Sequence, residues 1–432
     1  MRLTDRNILR IAVPSIISNV TVPLLGLIDV AIVGHLGNAA YIGAIAVGGM
    51  VFNVIYWVFG FLRMGTSGMT SQALGAERMH DTVSMLIRSL AAGFAVACML
   101  MLLQQPILQV AMLLMSPTDE VTTLASAYFK ICIWGAPAML GMFALNGWFI
   151  GMQNSRTPMI TAILQNIINI CASLLLVVVI GMKVEGVAAG TLIAQWAGFL
   201  IALGLLARHY GRFILENMRR QGLWNRAAMI RFFSINRDIF LRTVCLVAVM
   251  LFFTSAGARQ GDIILAVNTL LMQMYMLFSY IMDGFAYAGE ALGGKAFGAG
   301  DGKTLHRTVR RLFVWGLRMT LLFTLFYGFA GSAFFSLLTD EPAVIAAAAD
   351  YFPWAVAMPV TGVAAFVWDG VFIGCTLSRR MLVSMFIAAA AFFIIYYALR
   401  PLLANHALWL AFVSFLFMRG AVQTLLFRKV TV

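Results

Sequence analysis

Four acidic side chains lie inside long apolar stretches of the sequence, where a charged group is costly. They are Asp29, Asp283, Glu290 and Asp369, whereas most of the 17 acidic residues lie between the apolar stretches or at their ends. A charge at the centre of a bilayer costs about 2.5–3.5 kcal/mol on insertion scales, so such residues mark ion or proton pathways by default. The chemistry open to these carboxyl groups is reversible protonation, cation binding or ion pairing.

Asp29 follows two prolines, Pro14 and Pro23, in the first apolar stretch. Proline removes a backbone hydrogen bond from a helix and weakens it locally. Because burial disfavours the charged form of a carboxyl group, Asp29 is a candidate for proton uptake beside a segment that can bend. The alternative is a permanent ion pair with one of the arginines that lie in other apolar stretches, which are Arg63, Arg242, Arg318 and Arg419.

Asp283 and Glu290 are seven residues apart, so they share one face of a helix. Either they bind a cation or substrate, or they pair with Arg242 or Lys295; the sequence leaves both interpretations open.

Amide and hydroxyl side chains add polarity to two further apolar stretches. Asn166 and Asn169 lie one turn apart, and Thr191 lies in the following stretch. Such residues ordinarily form hydrogen bonds between helices in membranes. Together with Asp29 they can also form a protonation network.

The composition places these groups in a membrane protein. Of the 432 residues, 62% are hydrophobic and 11% are charged, against about 25% charged in an average soluble domain. The mean hydropathy is +0.92, which excludes an ordinary soluble enzyme. In a membrane protein, the basic residues behind the net charge of +13 determine the orientation of the helices in the bilayer. We therefore expect a lipid bilayer as partner and no nucleic acid.

Apolar runs of about 20 residues, the length that spans a bilayer, predict an all-α protein with twelve transmembrane helices. They lie near 11–33, 41–66, 84–104, 124–151, 157–181, 186–207, 238–258, 262–292, 309–331, 345–374, 381–399 and 404–427.

Lysine and arginine predict the orientation, because short basic loops stay in the cytoplasm. If the N-terminus is inside, the outer side holds only Lys130, Lys183, Arg259 and Arg400. Both termini are therefore predicted to be cytoplasmic in a multi-pass protein of the inner (plasma) membrane. The long basic stretch 208–237 then reads as a cytoplasmic linker between an N-terminal six-helix bundle (1–207) and a C-terminal one (238–432).

The two halves repeat one another at an offset of 223 residues. GWFIGMQNSR at 147–156 matches GVFIGCTLSR at 370–379, and QALGA at 72–76 matches KAFGA at 295–299. Parallel repeats of six helices predict two bundles around a central cavity, which can open alternately to each face. Asp369 stands where the first half has Asn146, and this asymmetry favours a role for Asp369 in binding or coupling.

No P-loop, metal-ligand cluster or nucleophile–base pair is found in the sequence. The five cysteines lie singly within apolar runs and indicate packing. We therefore expect neither an enzyme nor a cofactor or metal, and any pumping must draw on an ion gradient.

Four segments resemble the multidrug and toxic compound extrusion (MATE) family over essentially the whole chain. They are PSIISNVTVPLLGLIDVAIVGHLG (14–37), GFLRMGTSGMTSQALGA (60–76), IMDGFAYAGEALGGKAFGAGDG (281–302) and LWLAF (408–412). Within that family, DGFAYAGE at 283–290 resembles the DinF-like subgroup.

The resemblance implies a cation-coupled antiporter that exports lipophilic or cationic small molecules, and we favour the proton as the coupling cation. It assigns protonation to Asp29, bending of the first helix to Pro14, and the surrounding polar network to Asn169 and Thr191. Relatives often carry a second aspartate where this chain has Ser173.

Asp369 matches an acid of the tenth helix that resembles a cation-site residue in other branches of the family. The seventh helix has no interior acid, so a full sodium site is less expected than proton coupling. The alternative function is a flippase or exporter of a lipid-linked or polysaccharide precursor with a related fold.

Overall fold

The computed structural model describes residues 3–34, 38–218, 223–338 and 341–429, and these residues form helices and short connections without a strand. Twelve long helices follow in chain order: α1 (Leu3–Gly34), α2 (Ala39–Gly75), α3 (Met79–Leu102), α4 (Asp119–Gly151), α5 (Arg156–Val179), α6 (Val184–Asn217), α7 (Arg226–Ala258), α8 (Asp262–Gly298), α9 (Gly302–Leu338), α10 (Pro342–Gly374), α11 (Ser378–Leu403) and α12 (Asn405–Phe427). A short helix, Gln104–Met115, lies between α3 and α4. The prediction of an all-helical, multi-pass membrane protein is confirmed.

Several long helices change their winding within the span. The two segments of α2, Ala39–Phe59 and Phe61–Gly75, meet at Gly60. In α8 a π-helical turn occupies Gly289–Gly293, and another ends α5 at Leu175–Val179. Single π-helical turns are frequent at functional sites. They change the direction in which the side chains of a helix point.

The chain divides into two compact units, and the division falls inside α1. The N-terminal unit comprises Ile17–Met229, and the C-terminal unit comprises Met1–Ile16 together with Ile230–Val432. The first of these boundaries lies two residues after Pro14, which is buried. The start of α1 thus packs with the second half of the sequence and the remainder with the first half.

The repeated glycine motif allows close helix packing in the N-terminal unit. Gly147 of α4 lies so near α2 that a Cβ atom there would come within 2.3 Å of the Arg63 carbonyl oxygen. A Cβ at Gly151, one turn later, would be 2.8 Å from the Ser67 carbonyl oxygen. Small residues at this spacing let helix backbones approach in membranes, where van der Waals packing drives association.

The repeated glycine motif also allows close helix packing in the C-terminal unit. A Cβ at Gly370 of α10 would lie 2.2 Å from the Ala286 carbonyl oxygen of α8, and one at Gly374 would lie 2.6 Å from the Glu290 carbonyl oxygen. The sequence repeat therefore reflects two equivalent helix contacts.

The start of α1 is held to the C-terminal unit by an ion pair. Arg311 of α9 donates through Nε and Nη2 to the two carboxylate oxygens of Asp5, at 2.7 and 2.6 Å. The indole N–H of Trp315 donates to Asp5 Oδ1 at 3.2 Å. Two parallel hydrogen bonds from one guanidinium fix both distance and orientation, so this contact anchors the first turn of α1.

Capping defines where α9 begins. The backbone N–H of Thr304 donates to Asp301 Oδ1 at 2.9 Å, as expected for an aspartate at a helix N-cap. Hydrogen bonds from Thr304 lower the pKa of Asp301, which lies in the connection before the helix.

Candidate functional site

Asp29 lies in the part of α1 that belongs to the N-terminal unit. The residue is only 7% exposed, and its Oδ1 atom has no hydrogen-bond partner among the described residues. Two of the arginines considered as its partners, Arg242 and Arg419, form ion pairs with Asp369 instead. The guanidinium of a third, Arg318, lies over the Trp315 ring at 4.8 Å.

The neighbours of Asp29 come from α4. Asp29 lies within electrostatic range of the Tyr128 and Cys132 side chains. Both side chains are almost completely buried, with 6% and 1% exposure. The Tyr128 phenol also hydrogen-bonds with Thr191 of α6.

The predicted polar network continues from Thr191 to α5. The amide of Asn169 donates to Thr191 Oγ1 at 3.2 Å, and Asn169 is 1% exposed. Asp29 and the hydrogen-bonded pair of Asn169 and Thr191, to which the resemblance assigns protonation, thus lie around Tyr128 in the same unit.

Several polar atoms around this network lack partners within the described part of the chain. They include Asn169 Oδ1 and the Ser173 hydroxyl, in addition to Asp29 Oδ1. Buried polar groups in proteins are rarely unsatisfied, and an exception is explained by strain, a chemical role, or a bound water or ion. A carboxyl group in such a setting can take up and release a proton without breaking an ion pair.

A second amide ties α5 to α1 within the N-terminal unit. The side chain of Asn166 donates to the Thr21 carbonyl oxygen at 3.2 Å. Thr21 precedes Pro23 by two residues, so this bond holds α1 between Pro14 and Asp29.

Asp369 is the centre of a different cluster, in the C-terminal unit. Arg242 of α7 and Arg419 of α12 both donate through Nη2 to Asp369 Oδ2, the latter at 2.5 Å. Gln423 donates to Asp369 Oδ1 at 2.7 Å. Two guanidinium groups on one carboxylate make the surroundings of Asp369 electrostatically unfavourable for a metal cation.

The other two acids of α8 lie in different surroundings. Asp283 is half-buried, and its charge acts on Arg242. Glu290 is 1% exposed and lies in the π-helical turn Gly289–Gly293. The structure therefore groups Asp283 with Asp369 and the arginines, while Glu290 occupies the part of α8 that packs against Gly374.

The repeat shows how the two units differ in charge. At the offset of 223 residues, Asn19 and Asn146 of the first half correspond to Arg242 and Asp369 of the second. The side-chain oxygen of Asn146 is buried, with no partner among the described residues. An ion pair in one half thus replaces two neutral amides in the other.

Comparison with known proteins matches both halves. The MatE family model aligns with residues 14–175 and again with residues 239–399. The chain belongs to the MatE family. The starts of the two matches, residues 14 and 239, are separated by nearly the repeat offset of 223 residues, so this MatE protein carries two copies of one unit.

One relative of this MatE protein spans nearly its whole length, and a second spans about two thirds of it. It is 37% identical over 426 residues to DNA damage-inducible protein F of Escherichia coli, covering 99% of this chain and 92% of the relative. It is 27% identical over 310 residues to the probable multidrug resistance protein NorM of Caulobacter vibrioides, covering 68% of this chain and 63% of the relative. The predicted family and its DinF-like character are confirmed.

Solved structures share the fold. A MATE crystal structure in the bent conformation superposes with a TM-score of 0.89 at 18% identity, covering 98% of this chain and 95% of the other. An outward-facing multidrug resistance MATE transporter gives a TM-score of 0.86 at 18% identity, with the same coverage. This MatE protein therefore has the two-lobe fold of the solved MATE structures.

Sequence reasoning missed Tyr128, Cys132 and Gln423. An aromatic or thiol side chain inside an apolar run is ordinarily a packing residue, so nothing in the pattern singled out Tyr128 or Cys132. Gln423 follows Arg419 by one helical turn, so the two side chains share a helix face. That spacing could have indicated that Gln423 lies beside the buried arginine.

Proposed function

We propose that this MatE transporter exports lipophilic or cationic small molecules in exchange for protons, with Asp29 as the proton carrier. The single observation that carries the proposal is the buried Asp29 carboxyl group, whose Oδ1 has no hydrogen-bond partner among the described residues. A buried acid that is not held in an ion pair gains or loses a proton at moderate cost, whereas a paired one resists the change.

Substrate class is inferred from the relatives. The Caulobacter relative is described as a probable multidrug resistance protein, and one solved structure with the same fold is described as a multidrug resistance transporter. The distribution of lysine and arginine supports a topology with both termini in the cytoplasm. Outward transport is proposed because the Caulobacter relative is described as a probable multidrug resistance protein.

Protons are favoured over sodium by the surroundings of the two intramembrane aspartates. Asp369, the alternative ion site, is compensated by Arg242 and Arg419. Asp29, by contrast, has a phenol and a thiol as neighbours and is suited to hydrogen bonding in its protonated form. Coupling through Asp29 needs no metal-ligand set.

Bending of α1 is the conformational change that we propose to link proton binding at Asp29 to transport. Pro14 lacks the N–H that would reach the carbonyl four residues earlier, and the boundary between the two units follows it directly. A change of charge at Asp29 alters the hydrogen bonds available in the N-terminal unit. We propose that α1 then bends at Pro14, which changes access to the substrate site.

Efflux from proteoliposomes tests the proposal. Purified protein is reconstituted with ethidium inside, and efflux is followed by fluorescence under an imposed pH gradient and again after a protonophore has dissipated it. We expect efflux to depend on the proton gradient and to be unchanged when sodium is replaced by choline. Efflux that needs sodium, or persists after the proton gradient is dissipated, contradicts proton exchange.

Thr191→Val removes the hydroxyl that connects Tyr128 and Asn169 while keeping the side-chain volume. We expect about a three- to tenfold lower rate of gradient-driven efflux, because a buried Asn169 donor and the Tyr128 phenol both lose a partner. The measurement is the initial rate of ethidium efflux at equal amounts of reconstituted protein.

Thr361→Val is the matched control, because the Thr361 hydroxyl donates to carbonyl groups of its own helix, those of Ala357 and Met358. It should transport within twofold of wild type. Equal rates in the two valine variants would show that the Thr191 hydroxyl plays no part in coupling.

A further inference from the structure

Three helices of the C-terminal unit bring a charged cluster into the protein interior. Arg242 comes from α7, Asp369 from α10, and Arg419 and Gln423 from successive turns of α12. Their exposures are 5%, 7%, 2% and 1%. We call these four residues the arginine cluster.

The hydrogen bonds of the arginine cluster are incomplete. Both guanidinium groups donate to the same oxygen of Asp369, each through Nη2. The Nε atoms of Arg242 and Arg419 are buried without a hydrogen-bond partner in the described part of the chain, and so is Gln423 Oε1. A guanidinium has five N–H donors in a planar fork that fits a carboxylate, so one shared oxygen leaves much of this capacity unused.

Charge in the arginine cluster is positive. Two guanidinium groups face one carboxylate, and a buried excess charge is costly unless another group compensates it. Asp283, half-buried on α8, offsets part of this charge through space at Arg242. That electrostatic effect provides no hydrogen-bond acceptor for the Nε atoms of Arg242 and Arg419. The arginine cluster can therefore still donate hydrogen bonds to an oxygen atom of a ligand.

Aromatic side chains surround the arginine cluster. The Arg419 guanidinium lies 5.4 Å from the centre of the Phe415 ring. The buried Tyr275 lies within electrostatic range of both arginines and of Asp369. Its ring packs edge-on against Phe412, with 5.2 Å between centroids. An apolar or aromatic body is therefore suited to this environment when it carries an acidic group.

We propose that the arginine cluster binds the carboxylate of an organic acid or zwitterion that the transporter exports, with Asp369 acting as an internal competitor for the same guanidinium groups. Because Asp283 already offsets part of the excess positive charge at Arg242, the cluster can compensate at most one further negative charge, which favours a carboxylate over a doubly charged phosphate. The proposal rests on the proposed export function for the fate of the ligand, but the binding itself needs no proton gradient.

Equilibrium dialysis with two matched probes tests the proposal. Full-length protein in lipid nanodiscs is dialysed at pH 7.5 against radiolabelled 2-naphthoate or its neutral analogue 2-naphthamide, with empty nanodiscs subtracted. We expect naphthoate to bind at least about tenfold more tightly, because charge-assisted hydrogen bonds form only with the carboxylate. Equal affinities in the wild-type protein overturn the proposal, whatever the variants show.

Two variants with opposite expected effects test whether the preference for naphthoate arises at the arginine cluster. Asp369→Asn removes the competing charge and is expected to tighten naphthoate binding at least threefold, whereas Arg419→Gln should reduce the preference for naphthoate to within twofold. Weaker naphthoate binding by a folded Asp369→Asn protein, or a full preference in Arg419→Gln, contradicts the assignment. Folding is checked by thermal unfolding of each nanodisc sample.

Asp29→Asn separates this proposal from the proposed function. It lies in the N-terminal unit and should keep the full preference for naphthoate even though proton-driven efflux is expected to fail. Loss of the preference in this variant would place the anion site in the N-terminal unit and overturn its assignment to the arginine cluster.

Discussion

Asp29→Asn is expected to abolish proton-driven ethidium efflux, lowering its initial rate by about a hundredfold or to background. Asparagine keeps the shape and polarity of the side chain but cannot change its charge between pH 5 and 9. The buried Oδ1 of Asp29 has no hydrogen-bond partner among the described residues, so no ion pair is broken by the substitution and the fold should persist. The variant therefore separates coupling from folding.

Asp262→Asn is the matched control, because Asp262 lies in the first turn of α8 and its residue is exposed. It should transport at the wild-type rate. If Asp29→Asn retains more than half of the wild-type rate with an unchanged dependence on pH, then Asp29 is not the proton carrier. Thermal unfolding and gel filtration of both variants establish that the reconstituted proteins are folded.

Gly370→Ala is expected to prevent folding of the C-terminal unit or to lower its stability by more than about 3 kcal/mol. A Cβ atom there would lie 2.2 Å from the Ala286 carbonyl oxygen and 2.6 Å from its Cα atom, so the clash is with backbone that cannot rotate away. The repeat-related Gly147→Ala should do the same to the N-terminal unit. The measurement is the yield of monodisperse protein and its unfolding temperature.

Gly204→Ala provides the comparison, because nothing lies within 4 Å of a Cβ atom at that position of α6. Alanine is a better helix former than glycine, so this variant should be as stable as wild type or slightly more stable. Normal yield and unfolding temperature for Gly370→Ala would show that the backbones of α8 and α10 are not in close contact at Gly370.

The helices were predictable because a chain that crosses a bilayer must pair its backbone N–H and C=O groups within each helix. Each helix must also present apolar side chains to the lipid. Predicted segments such as 381–399 and 404–427 differ by only a few residues from Ser378–Leu403 and Asn405–Phe427. The larger differences lie in the basic stretch 208–237, where α6 continues to Asn217 and α7 already begins at Arg226. These extensions contain many charges, which an apolar-run criterion excludes although helix formation tolerates them.

Pairing between helices was much less predictable than the helices themselves. Asp369 and Arg242 are 127 residues apart in sequence, and only the packing of α7 against α10 and α12 makes them neighbours. The sequence showed that buried acids and buried arginines were both present, but not which pairs form. Asp29 and Asp369 consequently looked alike as candidate ion sites, and the structure distinguishes them by their partners.

The most direct test of proton exchange is proton movement driven by substrate alone. Proteoliposomes containing the pH indicator pyranine are prepared at equal pH on both sides, without sodium, with the membrane potential clamped by potassium and valinomycin. Adding ethidium outside should make the interior more alkaline with wild-type protein, and should leave it unchanged with Asp29→Asn. Ethidium uptake by the wild-type protein without a change of internal pH would contradict proton exchange, and an absence of ethidium movement in either direction would contradict the export of lipophilic cations.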